Sequence, residues 1–166
     1  MITALSFAKE SGPTMNLLLD TNVLIDYLGR KAPFFDAAQR IVAAGFFGDV
    51  RLWTSVSSLK DAFYVLDHYL DSACVQRAIV GACEVIVPVD LSGEEALRAA
   101  KLGWRDYEDC LIALAAEKVH ADYVITRDAK GFSRSSVPPI SPAAWLEEMG
   151  RENGLAYGVV NLSEIS

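Results

Sequence analysis

Residues 15–26 read MNLLLDTNVLID, and the fold turns on them. Leu17, Leu18 and Leu19 form a short unbroken apolar run, the pattern of a strand buried on both faces of a parallel sheet. The run stops at Asp20, and Asp20, Thr21 or Asn22 can cap a helix that starts there. A buried strand that passes directly into a capped helix is the opening of an α/β unit.

Outward from this stretch, strand-like and helix-like segments alternate. Helices are expected over 22–29, ending at Gly29, and over 33–47, with Pro33 in a first turn. RLWT at 51–54 is a second strand, and Thr54 or Ser55 caps the helix that follows to about residue 70. Asp71 or Ser72 starts another helix, running to about residue 82, and EVIVPV at 84–89 is a third strand. Ser92 and Glu95 have capping-box spacing for a helix to about residue 102. Residues 106–119 are helical, DYVIT at 122–126 is a fourth strand, and a short strand at 137–140 precedes a helix at 142–149.

This order predicts an α/β three-layer sandwich: a central, mostly parallel sheet of four to five strands flanked by helices. Residues 15–150 read as one domain, 1–14 as an N-terminal extension with Met15 as the natural start or equally as a short helical arm, and 151–166 as a C-terminal appendix with one strand in LAYGVV.

The composition narrows the function classes. The chain has 166 residues, 52% apolar and 22% charged, enough to bury a core and too apolar for disorder. No apolar stretch reaches the ~20 residues of a membrane helix, and no secretory signal is legible. Cys74, Cys83 and Cys110 lack CxxC spacing and read as reduced thiols of a cytoplasmic protein. The net charge of −7 argues against broad coating of nucleic acid. It leaves room for a small site that handles one phosphate through metal ions. Gly-rich phosphate loops and a GxSxG elbow are absent.

Four acids remain: Asp20, Asp61, Asp109 and Asp128. Asp20 and Asp128 follow strands, where ligands gather in open α/β sheets, yet capping alone also explains each. Asp61 lies opposite the stripe Val56, Leu59, Phe63, Leu66 and Leu70, which is a solvated-face position. Asp26, Asp67 and Asp71 are expected to be exposed in the same way. Asp109 is different. It shares a helix face with Ile112, Ala113 and Ala116, and a carboxylate there is costly unless it is paired, hydrogen-bonded or metal-bound. Asp106 stands one turn earlier, and only Arg105 is basic nearby, which favours a cation over a salt bridge.

The segments LLLDTNVLIDYL, SSLKDAFYVL, DYEDCLIALAAE and ADYVITRDAKGF, with SPAAWL beyond, resemble the PIN-domain family of metal-dependent nucleases, and within it the VapC-like toxins of type II toxin–antitoxin pairs. The resemblance spans residues 15–149 and implies a PIN-like fold. On it, Asp20, Asp109 and Asp128 match the first, third and fourth acids of the family site. Asp61 falls where many members carry glutamate, one methylene longer. Asp106 matches an additional acid, and Asn22 and Thr126 match supporting polar residues. Arg127, Lys130 and Arg134 would line a rim that meets substrate phosphate.

The resemblance implies a Mg²⁺-dependent (or Mn²⁺-dependent) endoribonuclease, since all-oxygen donor sets select such ions. It further implies an RNA substrate, a protein antitoxin as partner, and a homodimer formed through apolar positions on the helices at 33–47 and 55–82. A non-catalytic module that binds protein or RNA, and a nuclease without a toxin role, are the alternatives.

Overall fold

The computed structural model describes residues 15–154 and 156–158. The expected extension at 1–14 lies outside them, as do Leu155, Val159 and Val160 of the expected last strand. The elements run β1 Met15–Leu19, α1 Thr21–Leu28, α2 Phe35–Phe46, β2 Val50–Ser55, α3 Val56–Leu66 and α4 Ser72–Ala82. They continue with β3 Ile86–Val89, α5 Gly93–Leu102, α6 Tyr107–Lys118, β4 Tyr123–Ile125, β5 Pro139–Ile140 and α7 Pro142–Asn153. The five strands form one sheet in the order β3-β2-β1-β4-β5, and every pairing is parallel.

The alternation of side chains along β1 builds the two outer layers. Leu17 and Leu19 join Val23 and Leu24 of α1, Ile41 of α2 and Trp145 of α7 in one cluster. Leu18 points the other way, into a cluster with Ile112, Ala113 and Ala116 of α6. All three leucines are fully buried, each contributing about 1.5–3 kcal/mol of apolar burial. An unbroken apolar run is therefore required, because neither face of β1 meets water.

Local signals set most boundaries. Ser92 and Glu95 make the reciprocal capping box of α5, and Gly103, at φ 59°, ends that helix in the left-handed conformation. Ser55 caps α3 and Asp71 caps α4. Pro33 differs from expectation: it sits in a turn, and α2 starts at Phe35. Helix α7 runs on to Asn153 and stops at Gly154, φ 62°. Beyond it Tyr157 returns to stack on Trp145 at 6.3 Å between ring centroids, so part of the expected appendix seals the core. No helix among the described residues is long and apolar enough to cross a membrane.

Candidate active site

Successive connections leave β1 towards β2 on one side and β4 on the other, so the sheet changes direction between β1 and β4. Ligands of open α/β sheets collect beyond the carboxyl ends of strands at such a point. Leu19 is in register with Ile125, which places Asp20 and Thr126 side by side there. The Asp20 backbone N–H donates to Ile125 O at 3.0 Å, fixing that register one residue further.

Asp20, one of the candidate acids, is the N-cap of α1. Its Oδ1 accepts from the Thr21 N–H at 2.6 Å. Its Oδ2 accepts from Asn22 Nδ2 and from Thr126 Oγ1, each at 2.7 Å. Only 4% of the residue is exposed. Burial pushes its pKa from 3.8 to about 6; the Thr126 and Thr21 donors pull it down, and the charges of Glu108 and Asp128 push it up. Capping and site chemistry are compatible, since three donors leave carboxylate lone pairs unfilled.

Thr126 is the hinge of this arrangement. Besides donating to Asp20, its Oγ1 accepts from the Asp128 N–H at 2.9 Å and from Asn22 Nδ2 at 3.2 Å. Asn22 Oδ1 in turn accepts from the Arg127 N–H at 3.2 Å. The loop after β4 is thereby tied to the start of α1. Asp128 Oδ1 accepts from the backbone N–H groups of Lys130 and Gly131 at 3.2 and 3.4 Å, so it too both organises a turn and faces the site.

Asp109 lies on the first turn of α6, whose N-cap is Asp106. Asp106 Oδ1 accepts from the backbone N–H groups of Glu108 and Asp109 at 2.9 and 3.3 Å, which is a capping role. The Asp109 carboxylate itself has no hydrogen-bond or ion-pair partner among the described residues. Burial, then the charges of Asp106, Asp20, Asp128 and Glu108, raise its pKa from 3.8 to about 6. It also packs against Gly131, where a Cβ would collide with Asp109 Oδ2. A glycine there makes room for the acid.

Glu108 was not legible as a site residue. Its Oε1 lies 2.9 Å from Thr21 Oγ1, which is also 2.9 Å from Ser58 Oγ. Ser58 Oγ in turn lies 2.9 Å from Ser55 Oγ. Thr21 carries one hydroxyl proton and an ionised carboxylate can only accept, so that proton goes to Glu108 and Ser58 donates to Thr21. The hydroxyl chain from α3 thus ends on Glu108. The available clue was its place in DYEDC, directly beside Asp109, with Thr21 directly beside Asp20.

Asp61 is placed otherwise. Its Oδ1 pairs with Lys60 Nζ at 2.8 Å, with 27% of its side chain exposed, and the acids that act on Asp20 are Glu108 and Asp128. Asp26 corrects the expectation of an exposed acid: 1% of it is exposed. Arg127 is the reason. Its Nε and Nη2 donate to Asp26 Oδ2 and Oδ1 at 2.7 and 3.3 Å, and its guanidinium lies 4.2 Å from the Phe34 ring centroid. Arg127 is therefore paired with Asp26, and Lys130 and Arg134 line a cleft with Asp109 and Asp128.

The donor set is all carboxylate and hydroxyl oxygen, the chemistry of a hard divalent cation. Acids raised to about 6 by burial and by one another have the electrostatic need for such a charge. Among the described residues no three acids converge closely enough to cage an ion.

A family model of the PIN domain matches residues 16–130. The chain belongs to the PIN-domain family. No curated protein matches this PIN domain in sequence. Its fold is similar to that of VapC20 from Mycobacterium tuberculosis, a toxin that cleaves the sarcin–ricin loop. The TM-score is 0.58 at 11% identity, covering 71% of this chain and 94% of that one. VapBC-1 from nontypeable Haemophilus influenzae gives 0.58 at 20% identity, covering 78% and 99%. VapBC2 from Rickettsia felis, bound to a DNA fragment from its promoter, gives 0.57 at 18% identity, covering 76% and 98%. At these identities the likeness is one of fold.

Proposed function

We propose that this PIN domain is a divalent-cation-dependent endoribonuclease, with Mg²⁺ or Mn²⁺ as the ion, acting in the cytoplasm as the toxin of a toxin–antitoxin pair. The observation that carries the reading is Asp109: a partly buried carboxylate without a hydrogen-bond or ion-pair partner among the described residues, close to other acids in a strand-end cleft. Such a group has no structural use as it stands and is a natural cation ligand.

In this reading Asp20, Asp109 and Asp128 hold the cation, with Glu108 beside Thr21 and Asp61 in an outer position. Bound there, the cation would neutralise the carboxylates, activate water and stabilise the leaving oxygen of a phosphodiester. The chain's own residues do the positioning. Thr126 and Asn22 fix the Asp20 carboxylate, Asp106 fixes the first turn of α6, and the turn at Lys130 and Gly131 fixes Asp128. No histidine base is needed at such a centre. The toxin role is supported by the fold shared with VapC20 and with the two VapBC assemblies. A basic antitoxin segment would complement the net charge of −7, and exposed Tyr64, Tyr69 and Val80 on and between α3 and α4 supply surface for a homodimer.

One observation favours a second reading, a non-catalytic module that binds protein or RNA: Asp61 is occupied by Lys60. Cleavage of structured RNA separates the two. The nuclease reading expects cleavage with Mg²⁺ or Mn²⁺, loss with chelator, and a fall of 100-fold or more, on the order of the largest single-group effects, in Asp109→Asn. Equal rates for wild type and variant would sink it. Growth arrest on expression, relieved by the product of an adjacent gene, tests the toxin role separately.

A further inference from the structure

Among the acids lies a cleft of about 470 Å³, lined by Trp104, Arg105, Lys130 and Arg134 together with Asp106, Asp109 and Asp128. Its volume is in the range of small-ligand sites, ~300–1,000 Å³. Its cations fall into two kinds. Arg105 and Lys130 are exposed, and neither side chain has a hydrogen-bond or ion-pair partner among the described residues. Arg134 is pinned: Nη1 donates to Gly103 O at 3.1 Å and Nη2 to Leu102 O at 2.9 Å. Its guanidinium lies 5.7 Å from the Trp104 ring centroid. Those carbonyls belong to the end of α5, where Gly103 turns the chain, so the guanidinium plane is held by backbone.

Other cations near the acids are engaged, Arg127 with Asp26 and Lys60 with Asp61. In a chain of net charge −7, two uncommitted cations in one cleft mark where an anion is held. Asp106, Asp109 and Asp128 repel a phosphate, which leaves Arg105 and Lys130 as the groups free to receive it. A fixed guanidinium plane backed by an aromatic ring is a surface on which an unpaired base stacks.

We infer that this cleft is the subsite for the nucleotide adjoining the scissile phosphate of a single-stranded RNA segment. Arg105 and Lys130 hold that nucleotide's phosphate, and its base stacks on Arg134 with Trp104 behind. The inference rests on the ribonuclease reading, and it adds which side of the acids the strand occupies and why an unpaired nucleotide is required there.

The test uses the full chain carrying Asp20→Asn, so that bound RNA is not cut, and a fluorescently labelled single-stranded RNA oligonucleotide followed by anisotropy. Arg105→Ala with Lys130→Ala should weaken binding by about tenfold or more and reduce the salt slope by about 0.7, the release expected for one phosphate contact on a single strand. Arg134→Lys keeps the charge and loses the plane. It should weaken the oligonucleotide more than an otherwise identical one abasic at its central position. Binding within twofold of the parent with an unchanged salt slope in the double variant overturns the phosphate assignment. Equal loss for normal and abasic RNA in Arg134→Lys overturns the stacking assignment. Failure of the ribonuclease reading is separate: it shows as absence of cleavage by the wild-type chain.

Discussion

Thr126 Oγ1 donates to Asp20 Oδ2 at 2.7 Å, joining the ends of the two strands between which the sheet changes direction. The same oxygen accepts from the Asp128 N–H, so one hydroxyl organises two of the site's acids. Thr126→Val keeps the shape and removes both of these bonds and the one accepted from Asn22 Nδ2. We expect a loss of about 1–3 kcal/mol in urea unfolding, the cost of buried polar groups left unmatched. We also expect a further rise in the Asp20 pKa, because the Thr126 hydroxyl is among the groups that lower it. An NMR titration of the carboxyl carbon reads this directly, and an unmoved pKa would contradict the arrangement.

The raised Asp20 pKa makes the metal-free protein's stability depend on pH. The folded state binds the Asp20 proton more tightly than the unfolded chain, with a pKa of about 6 against 3.8. Stability from this group is therefore fully present below about pH 4 and lost as pH rises through about 6, in total about 3 kcal/mol. Asp109 shifts in the same direction but is less buried, so it adds less. In chelator, Asp20→Asn should be more stable than wild type at pH 7 and lack most of the slope between pH 4 and 7. Added Mg²⁺ should stabilise the wild type above pH 6 and leave the variant nearly unchanged. A wild type whose chelated stability climbs from pH 4 to 7 would contradict this.

Glu108 and Asp61 compete for the fourth acidic role, and their environments rank them. Glu108 is held by Thr21 and acts on both Asp20 and Asp109, while Asp61 is paired with Lys60. Glu108→Gln should weaken Mg²⁺ or Mn²⁺ binding by about tenfold or more in calorimetry, the low end for lost ligand support. Asp61→Asn should change it by less. The reverse ranking would return Asp61 to the inner position.

Arg127 separates a structural role from a substrate role. Its removal strands the buried Asp26 carboxylate, which burial already pushes above its usual pKa while Arg127 holds it down. Arg127→Ala should cost about 3–5 kcal/mol in chemical unfolding, as for a buried ion pair that loses one partner. Asp26→Asn in the same chain should recover part of that loss. A variant of wild-type stability with weakened RNA binding would instead assign Arg127 to the substrate rim.

The order of elements was legible because their signals are local. Leu17–Leu19 declare a strand buried on both faces, Ser92 and Glu95 declare a helix start, and Asp20 and Asp128 fall where strands end. What was not legible depends on pairs distant in the chain. Asp26 looked exposed because its partner Arg127 is 101 positions away, on the loop after β4. Glu108 meets Thr21 across 87 positions, and nothing in helical spacing announces that contact. Pro33 fits a helix start by composition, yet the turn after α1 takes it first. Tyr157 falls in the stretch that reads as an appendix, and its stacking on Trp145 is a contact that local sequence does not announce.

The most direct test of the central claim is anomalous diffraction from crystals of the wild-type protein soaked in Mn²⁺. The account predicts a manganese peak among Asp20, Asp109 and Asp128, within direct reach of at least one of these carboxylates, and no peak there in Asp109→Asn crystals. An empty cleft at a saturating Mn²⁺ concentration, or a peak confined to other surface acids, would contradict it.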